Sequence, residues 1–212
     1  MNKQTLDAIF SFFDELFPNA SCELNYTSDY TLLIAVILSA QTTDKSVNLV
    51  TPELFRSFPT IESIADADIS EIENHIRSIG LYRTKALNIQ TCCRQIIDRF
   101  EGKVPSDKEA LMSLPGVGAK TANVVRAELF HIPEIAVDTH VARISKRLYF
   151  AKPTDSVEII EKKLRNVIPE ERYIKTHHQM IHFGRYFCKA MNPNCSQCHL
   201  RAYCRKIKEE TF

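Results

Sequence analysis

Apolar positions recur along this chain at i, i+3, i+4 and i+7, the repeat of a helix with one buried face, and alternating polar–apolar runs are nearly absent. Leu6, Ile9, Phe10, Phe13 and Phe17 form one such stripe, which Pro18 closes. Val157, Ile160, Leu164 and Val167 form another, ending before Pro169. Ser106–Asp107 reads as the opening of a short helix, and a further helix is predicted from about Gly118 to Phe130, ahead of Pro133. Asp138 reads as the N-cap of a helix over Thr139–Leu148. The stretch Tyr30–Ser39 is rich in β-branched residues and would suit a buried strand, but no partner strands are in view, so it reads as a buried helix. With only five glycines and no low-complexity linker, an all-α fold is expected. Any division into domains must come from helices that pack separately.

Composition narrows the setting more than the function. The net charge of +1 identifies no partner, so a basic footprint would have to come from how charge is distributed. The longest apolar run, Leu32–Leu38, is too short to cross a bilayer, and no membrane partner is expected. Met1-Asn2-Lys3 leads into an amphipathic segment, not the apolar core of a secretory signal. A cytoplasmic location follows as an expectation. Of seven cysteines, Cys22, Cys92 and Cys93 read as ordinary thiols of a reducing compartment.

The other four, Cys188, Cys195, Cys198 and Cys204, crowd the C-terminal end with spacing C-x6-C-x2-C-x5-C. Thiolates this close repel unless a positive centre sits among them, and a four-sulfur site selects zinc or an iron–sulfur cluster. Structural zinc usually uses two C-x2-C knuckles. Here there is one, with wider loops on either side, which favours a [4Fe–4S] cluster over zinc. Disulfides or unrelated buried thiols are the plain alternatives.

A second motif is Leu114-Pro115-Gly116-Val117-Gly118-Ala119-Lys120-Thr121-Ala122, which holds two of the five glycines. Glycine permits positive φ and close backbone approach, and proline stops the preceding helix. The expected product is a tight hairpin with free amides at a helix N-terminus, a site for phosphate that needs no base contact. A plain helix–turn–helix corner is the bland alternative. A weak repeat, Ser78-Ile79-Gly80-Leu81-Tyr82-Arg83-Thr84-Lys85-Ala86, aligns Gly80 on Gly116, Leu81 on Val117 and Ala86 on Ala122. Lys120 then falls on Thr84, so Lys85 and Lys120 are not equivalent. Leu81 reads equally well as an apolar wedge for a base stack or as a small core anchor.

The hairpin Leu114–Lys120, the segment Val137-Asp138-Thr139-His140 and the Cys188–Cys204 array occur in that order. Together they resemble the endonuclease III family of the helix–hairpin–helix DNA glycosylase superfamily, over nearly the whole chain. The resemblance implies two helical domains with a DNA groove between them. Residues 22–132 would form a six-helix barrel with the helix–hairpin–helix, and residues 1–21 with 133–212 a cluster domain built from both termini. It implies a bifunctional N-glycosylase and AP lyase of base excision repair, which removes oxidised pyrimidines and cuts 3′ to the abasic site by β-elimination. Lys120 matches the Schiff-base lysine and Asp138 the catalytic aspartate. Gln41 matches the residue that fills the gap of a flipped base, and Leu81 the wedge. Asp44 matches a site-lining acid and Arg185 a basic position before the cluster. Gly116, Val117, Gly118 and Thr121 complete the DNA-binding set with His140, which reads as a hydrogen-bonding residue and not a base. The four cysteines match the [4Fe–4S] ligands. The implied partner is double-stranded DNA with damaged pyrimidines or abasic sites, met by a monomer that is nucleoid-associated and of prokaryotic type.

Some positions depart from that pattern. Ala119 stands where relatives carry arginine, and the loop Lys189–Asn194 holds one basic residue where relatives present several. Weaker phosphate affinity is expected, or compensation from Arg77, Arg83, Lys85 and Arg143. An adenine-mismatch glycosylase shares the fold but lacks a lysine at position 120 and usually carries a further C-terminal domain, and a thymine-mismatch glycosylase tends to replace the lysine. From another class, the chain could be a non-catalytic hairpin DNA-binding module with a redox-sensing cluster, which borohydride trapping on abasic DNA separates from a lyase. His177 and His178 have no ligand-like spacing to the cysteines and read as structural or surface residues.

Overall fold

A computed structural model describes residues 1–210, which contain helices and no strand. In chain order the helices are α1 (Lys3–Leu16), α2 (Asp29–Leu38), α3 (Asp44–Ser57), α4 (Ile61–Asp66), α5 (Ile69–Ile76) and α6 (Tyr82–Phe100). They continue with α7 (Lys108–Met112), α8 (Ala119–Phe130), α9 (Thr139–Arg147), α10 (Val157–Val167), α11 (Tyr173–His182) and α12 (Arg205–Glu210). The chain divides into two compact units: Glu23–Ile132, and Met1–Cys22 joined by the chain from Pro133 onward. The first boundary lies one residue later than the 22–132 division, so Cys22 goes with the termini.

In the Glu23–Ile132 unit, α2 is the central element. Every residue from Thr31 to Leu38 is buried, because the helix is apolar on all sides and packs against α3, α6 and α8. Burying each of its large aliphatic side chains contributes about 1.5–3 kcal/mol. The β-branched stretch that could have been a strand is therefore a helix wrapped by others. Around it, α4 and α5 pack on α6, and α7 packs on α8. The starts of these helices are set locally: Thr43, Thr60, Asp68 and Asp107 each accept a backbone N–H of the turn they precede.

In the terminal unit, α1 buries Ile9, Phe10, Phe12 and Phe13 in a core shared with Val141, Ile144, Leu164 and Met180. The Phe13 and Phe183 rings lie 5.1 Å apart. Asp14 pins α1 to α11, accepting from Lys175 Nζ at 2.8 Å, Gln179 Nε2 at 2.9 Å and Arg172 Nη2 at 3.0 Å. Burial works to raise the pKa of this carboxyl, but these three donors outweigh it and lower it to about 2. The clamp is thus complete above the ordinary carboxylate range and weakens as pH falls toward 2. His177 and His178 are both buried in α11, in keeping with a structural role. Helix α11 runs on into a π-helical turn, Phe183–Phe187, closed by the Cys188 N–H donating to Phe183 O at 2.6 Å. Such turns often mark functional segments, and this one delivers the first of the clustered cysteines.

Candidate functional site

The hairpin forms from the inside out. Asp107 caps α7, its Oδ1 accepting from Ala110 N–H at 2.8 Å. Leu114 and Val117 are both buried and anchor the turn between α7 and α8. Gly116 has φ +79°, and a Cβ there would stand 3.0 Å from Ile37 Cγ2 and 3.2 Å from Asn88 Cβ, so no larger residue fits without movement. Gly118, the capping residue of α8, offers no side chain to the first amides of the helix and is itself exposed. Those amides and the positive end of the helix dipole face outward, the arrangement that favours an anion. Lys120 is exposed in this first turn, with Thr121 half-buried beside it. Val117 shapes the turn from within, its N–H going to Leu114 O at 3.2 Å.

Two more turns of the same unit carry exposed side chains on left-handed backbone. Gln41 has φ +55° and Leu81 has φ +60°. For a non-glycine residue this costs roughly 1–2 kcal/mol. Leu81 is 61% exposed, so the core-anchor reading is set aside. The repeat also breaks here: the left-handed position is Gly116 in the hairpin but Leu81 in its counterpart, one residue further on. Asp44 is half-buried in the first turn of α3, two residues after the Gln41 turn.

In the terminal unit, Asp138 caps α9, its Oδ1 accepting from Val141 N–H at 2.7 Å. His140, the second residue of that helix, is half-buried. Burial lowers its pKa; Asp138 opposes this, while Arg143 and Arg185 push the same way as burial. The imidazole is therefore neutral near pH 7, which fits a hydrogen-bonding residue. Arg185 is half-buried in the π-helical turn. Gly184 lets that turn close on α9: a Cβ there would meet His140 Cβ at 2.9 Å.

The four clustered cysteines are free thiols that line one shallow recess together with Arg147 and Phe187. Among the described residues, no group of three or more His, Cys, Asp or Glu side chains is placed to hold a metal ion. By chemistry alone, four cysteine sulfurs lining one recess are the donor type an iron–sulfur cluster takes, and Arg147 Nη1 donates to Cys188 Sγ at 3.1 Å. Burial pushes the Cys198 thiol up to about 11, and the neighbouring Cys188, Cys204 and Cys195 sulfurs add to it. Thiolates here need a positive centre.

Two of the expected phosphate-binding cations are committed elsewhere. Lys85 is buried, its Nζ donating to Leu38 O at 2.9 Å and Thr42 Oγ1 at 2.7 Å. Arg143 Nη2 donates to Gly184 O at 2.8 Å and lies 3.3 Å from His140 Nδ1. Both were expected at the surface, and both are drawn inward by carbonyls far away in sequence. Arg77 and Arg83 are exposed as expected, with Arg83 4.0 Å from Glu73. Arg147 was not anticipated at all. It binds the backbone of the cysteine loop, donating to Lys189 O at 2.8 Å and Cys188 O at 3.2 Å. Its only sequence signal is a basic residue in the last turn of α9, which is common at helix C-termini.

Comparison with known proteins is consistent across sequence and structure. Residues 34–170 match the family described as HhH-GPD superfamily base excision DNA repair protein. The chain is 45% identical over 206 residues to endonuclease III of Bacillus subtilis (strain 168), covering 97% of this chain and 94% of that one. It is 46% identical over 204 residues to endonuclease III of Rickettsia conorii (strain ATCC VR-613 / Malish 7), covering 96% and 97%. A solved structure of a trapped endonuclease III–DNA covalent intermediate, an estranged-adenine complex, matches with TM-score 0.95 and 49% identity over 100% of both chains.

Proposed function

The chain belongs to the HhH-GPD superfamily of base excision DNA repair proteins and is a DNA-binding glycosylase; from that premise we propose that it removes oxidised pyrimidines and then cuts the strand through an imine on Lys120. The observation that carries this reading is the placement of Lys120. It is exposed in the first turn of α8, directly after a hairpin whose capping residue is a glycine.

A base inside a duplex is out of reach, so it is turned out at a cost of a few kcal/mol, less at a damaged pair. Leu81 enters the stack beside the estranged base and Gln41 fills the gap. Amides around Gly116 and Gly118 hold a phosphate, with Thr121 and Arg185 adding contacts. Asp44 and His140 would each meet the DNA from their own unit. Lys120 Nζ, as the neutral amine, attacks the sugar C1′; the C1′–N bond breaks and the base departs with its electron pair and takes up a proton. Opening of the sugar ring leaves an iminium between Nζ and C1′. That acidifies the C2′ proton, whose removal forms a C2′–C3′ double bond and expels the 3′ phosphate. Water then frees the lysine. Asp138 balances positive charge on the sugar as the base leaves and moves protons.

Cys188, Cys195, Cys198 and Cys204 would hold a [4Fe–4S] cluster. When bound, it supplies the positive centre that keeps four thiolates together and cross-links their loops. The working unit is a monomer on duplex DNA. Labelled duplexes carrying thymine glycol, an abasic site, a mismatched adenine or no lesion test the substrate class. Base release with a 3′ nick is expected from the first and a nick alone from the second. Action confined to the mismatch would replace the substrate class, and base release without a nick would remove the lyase step. Iron and acid-labile sulfide of about four each per chain are expected; zinc in their place would reject the cluster.

A further inference from the structure

Lys85 is 5% exposed, and neither lyase chemistry nor phosphate binding accounts for it. Its ammonium donates to the carbonyl of Leu38, the last residue of α2, and to the hydroxyl of Thr42. Those two residues flank the exposed, left-handed Gln41. Its own backbone N–H donates to Leu81 O at 3.0 Å. Lys85 stands in the first turn of α6, directly after the Leu81 turn, and its ammonium reaches across to the Gln41 turn. Ser39 and Ala40 N–H groups return to Ala35 and Ile37 carbonyls, and Lys85 serves the carbonyl of the buried Leu38 that follows them. Burying a cation is costly unless its donors are well used. Burial lowers the Lys85 pKa, the mark of that cost. Two positions earlier, Arg83 leaves its charge in water.

We propose that Lys85 is a positioning residue that locks the Gln41 turn to the Leu81 turn, so that the two side chains enter the DNA stack as one rigid two-pronged element. This rests on the wedge and gap-filling roles proposed above. Loosening the latch impairs opening of the duplex and leaves attack by Lys120 intact.

The test compares the parent with Lys85→Met, which keeps an unbranched stem and removes the ammonium. Single-turnover release of thymine glycol from duplex should slow about tenfold, the scale of one lost charged hydrogen bond. Nicking of a single-stranded abasic oligonucleotide, which has no stack to open, should change less than about threefold on the same scale. A 2-aminopurine opposite a stable abasic analogue should lose the fluorescence change that reports its unstacking. In the Gln41→Ala background, Lys85→Met should add little, because the two act through one turn. Equal losses on both substrates, or full additivity with Gln41→Ala, would overturn the proposal, as would duplex activity equal to the parent's. Should Lys85→Met fail to fold, Thr42→Val removes one of the two acceptors and must slow the duplex reaction alone. A parent that nicks neither substrate would refute the Lys120 chemistry itself, which sets that failure apart from a failure of the latch.

Discussion

The turns Ser78–Arg83 and Leu114–Ala119 align in sequence, yet they use the same backbone device for opposite ends. In the second, the left-handed residue is Gly116, tucked against Ile37 and Asn88, and the apolar residue after it, Val117, points into the core. In the first, Gly80 is spacious and unstrained, and the left-handed residue is Leu81, its side chain left in water. The hairpin keeps glycine where the geometry demands it and presents bare amides. Its counterpart accepts strain and an exposed apolar group in order to present a side chain. Strain at Leu81 without a packing reward is what a part shaped for a partner looks like.

That contrast is broken or sharpened by changing one residue in each turn. The largest effect is expected from Gly116→Ala. Left-handed strain plus the crowding at Ile37 Cγ2 and Asn88 Cβ should cost about 2–4 kcal/mol, read as a lower urea midpoint. If it were neutral, the two turns would not differ as described. Next comes Leu81→Gly, which relieves the positive φ and should stabilise the fold by about 0.5–1 kcal/mol. It should also slow excision from duplex by about tenfold or more. A loss of both stability and activity would mean that Leu81 holds the fold together. Smallest is Gly80→Ala, where an added Cβ meets nothing within 4 Å; stability should stay within about 0.5 kcal/mol of the parent. A large loss there would restore the symmetry of the repeat.

What could be read in the chain was what is decided locally. Helix starts at Asp107 and Asp138 follow from capping chemistry within three residues, and both appear as expected. The hairpin glycines and the stripes of α1 and α10 are equally short-range signals. The fates of individual cations were not legible. Lys85 and Lys120 both sit just inside a helix after a glycine-bearing turn. One is buried by acceptors up to 47 positions back in the sequence, and the other stays exposed. Arg143 and Arg147 are claimed by carbonyls 41 or more positions away, which no local pattern records. Leu81 was undecidable for the same reason: exposure depends on which helices pack nearby, not on its neighbours in sequence.

The account turns on a covalent bond between the Lys120 amine and the sugar. Reduction with borohydride during reaction on abasic duplex, followed by peptide mapping, tests it most directly. The account predicts an adduct that maps to Lys120 and is absent from Lys120→Ala, which should also stop nicking the strand. An adduct of undiminished yield in Lys120→Ala, or one that maps to another residue, would contradict it.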